Sequence, residues 1–337
     1  MENAIHSLPG VFEVAVIGVD DPVLGQAIKA FVTPAPGAQL TEKEVIRHCM
    51  TRLESFMVPK SVEFVDALPK TDTDVPVPLM LGACDDRAVL DTPFYVMTHI
   101  DGVVLHDADA VRTHFPDSTT RVRAGETMID AMVALHAVAP EEVGLGDLSR
   151  NSGYLDRQLK RWHGQWIASK TREIPAMERL HEWLVANQPA ELPTRIVHGD
   201  FRLGNAIHAP DGSVLAILDW ELCSLGDPRA DLSYLLRAWV SPDDPVVSSM
   251  EPASRAGGFL TRDELVARYE ARSATLLTDL DFWMAFHAWR SASISEGVYR
   301  RYIDGNMGQR PDDVEVYARS VELSAAAGLV AAGLAGS

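Results

Sequence analysis

Three oxygen-bearing side chains stand at spacings that suit metal-assisted group transfer. Asp200 and Asn205 share the stretch His198-Gly199-Asp200-Phe201-Arg202-Leu203-Gly204-Asn205, and Asp219 closes the apolar run Val214-Leu215-Ala216-Ile217-Leu218. A loop aspartate can take the proton of an attacking hydroxyl. An amide and a second carboxylate nearby give a divalent cation the hard oxygen ligands that Mg²⁺ prefers beside a phosphate. Singly, each residue is unremarkable: His-Gly-Asp is often a turn, and an aspartate after an apolar strand often just ends it. The conjunction is what predicts Mg-nucleotide chemistry.

Such a set needs a rigid frame. The short strand Arg195-Ile196-Val197 delivers the loop, and a single β-hairpin carries the remaining residues. Nearly everything else after residue 106 reads as helix. Ala124 to Val138 places Met128, Ile129, Met132 and Leu135 on one face, and Gly153 to Lys170 repeats the pattern with Leu155, Leu159, Trp162 and Trp166. An apolar stripe of that kind is more often core than substrate groove. Ile174 to Asn187 is a further helix, and Leu225-Gly226-Asp227-Pro228 is a turn opening another at Arg229-Ala230-Asp231-Leu232. Thr261 with Glu264 forms a capping box, Asp281 to Asp304 makes a long aromatic-rich helix, and Ala325 to Ala335 is a helical or frayed tail.

The first 74 residues have a different texture. Val11 to Val19 and Gln26 to Thr33 read as strands, Thr41 and Glu44 as a capping box opening a helix through Leu53, and Ser61 to Ala67 as a third strand. The second of these strands contains Ala27-Ile28-Lys29-Ala30, which could supply a phosphate-binding lysine if Glu44 on the following helix were its partner.

Composition narrows the classes. The 337 residues carry 30 basic and 48 acidic side chains, a net charge of −18 that opposes binding to nucleic acid or an anionic membrane. Cys49, Cys84 and Cys223 are widely spaced and suggest neither a disulfide framework nor a zinc site. The Met1 to His6 segment lacks the regions of a signal peptide, and the tail from Ala325 is too short to span a bilayer, so a cytoplasmic location is expected.

Two resemblances organise these readings. Leu8-Pro9-Gly10-Val11, Leu24-Gly25-Gln26-Ala27-Ile28-Lys29-Ala30-Phe31-Val32, Val58-Pro59-Lys60 and Phe64-Val65-Asp66-Ala67-Leu68-Pro69-Lys70 look like the C-terminal lid domain of adenylate-forming enzymes, the acyl-CoA synthetase group. That family's lysine-bearing ending breaks off at Asp74, where Val75 and Pro76 follow. Further on, His198-Gly199-Asp200 with Asn205 resembles the kinase loop H-x-D-x-x-x-x-N. Together with Leu218-Asp219-Trp220-Glu221, Gly226-Asp227-Pro228 and Asp231-Leu232, it makes residues 75 to about 310 similar to the aminoglycoside phosphotransferase family of kinase-like enzymes. Gly153-Tyr154-Leu155, Arg161-Trp162, Gln165-Trp166 and Ser169-Lys170-Thr171-Arg172-Glu173 resemble the branch whose kinase domains are joined to acyl-CoA dehydrogenases. That branch is associated with phosphorylation of hydroxyacyl-CoA.

The resemblance implies an α+β chain: a small α/β lid-like domain at 1–74, a remnant of the kinase N-lobe and hinge at 75–105, and a mostly helical C-lobe at 106–337. It implies Asp200 as catalytic base, Arg202 as a cation near the transferring phosphate, and Asn205 and Asp219 as metal ligands. Met97, Thr98, His99 and Ile100 become the adenine hinge, after the apolar strand that begins at Thr92-Pro93-Phe94. His198 and Asp231 take structural roles, Asp231 bracing the loop from below. ATP and Mg²⁺ are the implied cofactors and a small molecule, of the CoA-thioester kind, the implied acceptor. No G-x-G-x-x-G precedes the hinge, so the expected phosphotransferase lacks the usual phosphate clamp. The alternatives are an inactive nucleotide- or CoA-binding module and an accessory fragment of an acyl-CoA ligase.

Overall fold

A computed structural model of the chain describes residues 5, 7–21, 25–35, 37–52, 58–65, 73–84, 89, 94–146, 148, 153–244, 251–306 and 313–335. The chain divides into two units, one of residues 1–72 with 78–100 and the other of 73–77 with 101–337.

In the first unit, β1 (Val11–Asp21) and β2 (Gly25–Pro34) pair antiparallel with Val14 opposite Val32, and β3 (Ser61–Phe64) joins β2 in parallel. Helix α1 (Glu42–Met50) covers this sheet with Val45 and Cys49, which meet Ile5, Ala30 and Val32 in a small core. Thr41 and Glu44 form the expected capping box, but the helix stops at Met50 rather than running to Leu53, which lies outside the described residues, as do Leu24 and the Leu68-Pro69-Lys70 landmark. Lys29 forms an ion pair with Glu63 on the neighbouring strand at 2.6 Å. Glu44 is committed to Thr41, so the lysine–helix glutamate pair considered from the sequence is not formed. A separate hairpin, β4 (Met80–Cys84) with β5 (Phe94–Met97), completes the unit, and Thr92 and Pro93 are outside the described residues.

The second unit is helical apart from two small sheets. Strands β6 (Val103–Val104), β8 (Ala206–His208) and β9 (Val214–Ile217) form one, and β7 (Arg195–Val197) pairs antiparallel with β10 (Ser224–Gly226) in the other. Around them lie α2 (Ala108–His114), α3 (Ser118–Ala137), α4 (Tyr154–Ser169), α5 (Pro175–Ala186), α6 (Pro228–Ala238), α7 (Arg262–Ser273), α8 (Leu280–Ile303) and α9 (Glu315–Ala331). The periodic stripes are core. Met128, Ile129, Met132 and Leu135 of α3 are buried, as are Leu155, Leu159 and Trp166 of α4, the latter against Trp283, Phe286 and Trp289 of α8. Helix α3 begins six residues before Ala124 because Asp117 caps it, accepting the Thr120 N–H at 2.9 Å; its first turn is polar and carries no apolar period. The C-terminal tail is helical as far as Ala331, the end of α9, with Ala325 buried.

The Ser169-Lys170-Thr171-Arg172-Glu173 segment is a structural tie. Glu296 of α8, fully buried, accepts from Thr171 N and Oγ1 at 2.6 Å each and from Arg172 Nη1 at 2.9 Å. Arg172 Nη2 also donates to the Ala318 carbonyl of α9 at 2.9 Å, so one loop fixes two helices. Among the described residues no helix is long and apolar enough to cross a membrane.

Candidate active site

The loop that leaves β7 is held from beneath by one buried carboxylate. Asp231, in the first turn of α6, accepts the His198 N–H on Oδ2 at 2.6 Å and the Gly199 N–H on Oδ1 at 2.8 Å. His136 of α3 adds a contact from Nε2 at 3.3 Å, and its Nδ1 lies 2.8 Å from the Tyr269 hydroxyl. Burial alone would raise the Asp231 pKa, but the hydrogen bond and charge of His136 with the two backbone donors hold it below the usual carboxylate range. The expected brace is therefore present.

His198 is fully buried and spends both ring nitrogens on structure. Nε2 donates to the Leu218 carbonyl at 2.8 Å, and Nδ1 accepts the Asp200 N–H at 3.2 Å, which assigns the ring proton to Nε2. Trp220 packs on the ring with centroids 4.7 Å apart. Gly199 has φ +83°, and a Cβ there would lie 2.7 Å from the Leu222 carbonyl oxygen, so the residue must be glycine on both counts.

Leu218 ties the hairpin to the loop. Its carbonyl receives His198 and its N–H donates to the Asn205 carbonyl at 2.8 Å. The next residue, Asp219, is thereby set one peptide from both ends of the loop. It adopts the left-handed conformation, φ 68° and ψ 55°, which a non-glycine residue holds at a cost of roughly 1 kcal/mol or more. Its side chain is exposed and makes no hydrogen bond or ion pair with the described residues. Glu221, two residues on, is likewise exposed.

Asn205 turns the two sides of the loop toward each other. Its Nδ2 donates to the Asp200 carbonyl at 2.9 Å and to Asp200 Oδ2 at 2.8 Å. With the NH₂ group so committed, Oδ1 is the end left to accept. Arg202 Nε lies 3.4 Å from the same Asp200 oxygen, and its guanidinium folds over Gly204. An oxygen of Asn205, an unpartnered Asp219 carboxylate and the Asp200 carboxylate suit a hard divalent cation such as Mg²⁺. Among the described residues no group of three or more His, Cys, Asp or Glu side chains is gathered to hold a metal ion, carboxylate sites included, so a cation here would rely on two carboxylates and the Asn205 amide.

Tyr234 is a member of the site that sequence reasoning missed. It follows Asp231 by three positions on α6, which places both on one face of the helix. Burial first, then the charge of nearby Asp200 and hydrogen bonding toward it, push the pKa of the Tyr234 hydroxyl well up. Arg290 of α8 stacks over the Tyr234 ring at 5.6 Å and the Trp162 ring at 5.0 Å. The i, i+3 spacing was the available signal.

In the hinge segment, Met97 ends β5 and is exposed, as is His99. Thr98 donates its N–H to the Leu79 carbonyl at 2.9 Å and receives the Leu79 N–H on Oγ1 at 3.0 Å; Ile100 is half-buried.

Comparisons with known proteins identify the family and the fold. A model of the phosphotransferase enzyme family matches residues 58–274, and a model of the AMP-binding enzyme C-terminal domain matches residues 1–74. The chain belongs to the phosphotransferase enzyme family, and its fold is that of the kinase-like aminoglycoside phosphotransferases. It is 32% identical to a Ralstonia eutropha JMP134 protein provisionally described as an aminoglycoside phosphotransferase, whose crystal structure aligns over 77% of this chain and 79% of that one with a TM-score of 0.66. It is 35% identical over 235 residues to mouse acyl-CoA dehydrogenase family member 10, an alignment covering 68% of this chain and 22% of that protein. The N-terminal unit contributes a shorter likeness, 49% over 70 residues, to an indenylpropanoyl:CoA ligase of Rhodococcus jostii, covering 21% of this chain and 14% of the ligase. The chain spans between 22% and 33% of the length of the acyl-CoA dehydrogenase family relatives it matches.

Proposed function

We propose that the chain is an ATP- and Mg²⁺-dependent phosphotransferase acting on the hydroxyl of a small molecule, with a hydroxyacyl-CoA as the acceptor class. The observation that carries this is the Asn205 bridge, which fixes the Asp200 carboxylate while leaving the amide oxygen of buried Asn205 and the exposed Asp219 carboxylate as acceptors. In the reaction the acceptor hydroxyl gives its proton to an Asp200 oxygen as its own oxygen bonds to the γ-phosphorus, and the bond to the ADP oxygen breaks. Asn205 and Asp219 would hold Mg²⁺, which when bound offsets charge on the phosphoryl oxygens. Arg202, 3.4 Å from the Asp200 oxygen that Asn205 also holds, would add a cation beside the transferring phosphate. Contacts to adenine at Met97, Thr98, His99 and Ile100 are part of the proposal on chain order alone. The CoA-thioester acceptor is supported by the relatives the chain matches, acyl-CoA dehydrogenase family members and a CoA ligase. A cytoplasmic location goes with this reading.

Titration calorimetry with ATP tests it. Wild type is expected to bind ATP with Mg²⁺ present and far more weakly in EDTA, and Asp219→Ala to abolish the Mg²⁺ dependence. Equal affinity under all three conditions would remove the metal assignment.

A second reading, a nucleotide- or CoA-binding module with impaired turnover, is favoured by one observation: Lys29 is paired with Glu63 and no G-x-G-x-x-G is present to clamp phosphates. Binding of Mg-ATP without phosphoryl transfer to any hydroxyacyl-CoA would select it. An accessory role beside an acyl-CoA ligase rests on the 1–74 match alone and predicts stimulation of acyl-AMP formation on mixing with a ligase that lacks its lid domain.

A further inference from the structure

A cleft of about 300 Å³ opens beside Arg202 and Gly204 and is walled by α6 and α8. It contains a cation that has no acidic partner among the described residues. Arg237, in the last turn of α6, donates from Nε to Ser291 Oγ at 3.1 Å and from Nη2 to Ser324 Oγ at 3.0 Å. Both acceptors are neutral hydroxyls. Among the described residues no carboxylate lies within ion-pair distance, and Nη1 makes no hydrogen bond. Burial pushes this guanidinium down to about 10, with the Tyr234 hydroxyl opposing the shift and Arg262 adding to it.

Arg229, two turns earlier on the same helix, shows how this chain settles a buried guanidinium that serves structure. Asp227 receives it at Nε and Nη2, at 3.0 and 2.6 Å, and Asp279 meets Nη1 at 3.3 Å. A charge removed from water without such a partner is costly, so Arg237 is a poor choice for joining helices that serine or leucine could join. The remaining charges of the cleft point the same way. Arg202 also lines it, though paired with Asp200 at 3.4 Å, and the cleft's one described carboxylate, Glu251, is already held by Arg112 at 3.2 Å and Arg255 at 3.6 Å. A chain of net charge −18 thus keeps a local positive surface beside its candidate catalytic aspartate.

We propose that this cleft is the acceptor pocket and that Arg237 binds an oxyanion, carboxylate or phosphate, carried by the acceptor alcohol. Tyr234 links the two ends of such a molecule. It lines the cleft three residues before Arg237, and Arg202, 3.4 Å from Asp200, lines it too, so an acceptor anchored at Arg237 extends along one face of α6 toward the base. Polycationic amino sugars are excluded by the same charges, since a bare guanidinium repels an ammonium group. Calling the bound molecule an acceptor rests on the phosphotransferase reading; the anion site itself does not.

Calorimetry without nucleotide tests the site, using 4-hydroxybutanoate as the carboxylate probe and coenzyme A as the phosphate probe. Wild type is expected to bind at least one of them saturably, and the one it binds identifies the source of the anion. Arg237→Gln should weaken that binding by about tenfold or more, the loss typical of a charge-assisted hydrogen bond. Ser291→Asp places a carboxylate against Arg237 and should abolish binding while leaving the melting temperature at or above wild type. No binding of either probe by wild type, or equal binding by wild type and both variants, would overturn the proposal. Anion binding with no transfer from ATP would sink only the phosphotransferase reading, and transfer indifferent to Arg237→Gln and Ser291→Asp would sink only this one.

Discussion

The Asp231 carboxylate accepts the backbone N–H of His198 at 2.6 Å, so the first turn of α6 sets where the candidate catalytic loop begins. Its second oxygen takes the Gly199 N–H at 2.8 Å. Asp231→Asn replaces one acceptor with a donor facing an N–H. The expected loss is about 3–5 kcal/mol of folding stability, that of breaking a buried charge network, read as a lower midpoint in urea. The lowered pKa of Asp231 fixes the sign with pH. Its contribution is fully present above the unfolded carboxylate pKa of about 3.9 and disappears as pH falls through the native value below it.

Two buried histidines make stability fall earlier on acidification. Burial lowers His208 to about 4 and His287 to about 3, the latter further through Arg290. Between the unfolded histidine pKa of about 6.5 and these native values only the unfolded chain takes up the protons, so stability drops by up to ~1.4 kcal/mol per unit of pH for each. Denaturation at pH 7 and pH 5 should show this. His208→Phe should cost about 1 kcal/mol at pH 7 through the lost bond to the Gly212 carbonyl, yet flatten the acid slope; a slope identical to wild type would contradict the assignment.

Gly199→Ala combines a positive φ with a Cβ 2.7 Å from a carbonyl oxygen. A loss of roughly 2 kcal/mol or more is expected, with Asp200 displaced and phosphoryl transfer lost. Thermal melts and transfer assays on the same preparation check both parts.

Asp219→Gly separates stability from function. Glycine holds φ 68° without strain, so the variant should be as stable as wild type or more so by up to ~1 kcal/mol, while Mg²⁺-dependent ATP binding is lost. A destabilised variant that still binds Mg-ATP would show that Asp219 serves the hairpin instead.

Much of this site is legible in the sequence because its signals are local. Asp200, Asn205 and Asp219 sit within twenty residues of one another, and the capping boxes at Thr41 and Thr261 each need only the glutamate three positions on. What the sequence hides is non-local. Arg237 is an ordinary helix-end arginine until α8 and α9 bring Ser291 and Ser324 to it and no carboxylate. Lys29 sits in a lysine-motif context yet pairs across the sheet with Glu63, because the parallel register of β2 and β3 sets Lys29 opposite Ser61, two residues before it. The polar first turn of α3 is invisible to an apolar period and is announced only by its Asp117 cap.

The most direct measurement follows phosphoryl transfer from Mg-ATP to a hydroxyacyl-CoA by ³¹P NMR, comparing wild type with Asp200→Ala. Wild type is expected to form the phosphorylated acyl-CoA, and the variant to be slower by about 10²–10⁴-fold, the contribution of a positioned general base. Equal rates in the two proteins would contradict the account of Asp200 as the base.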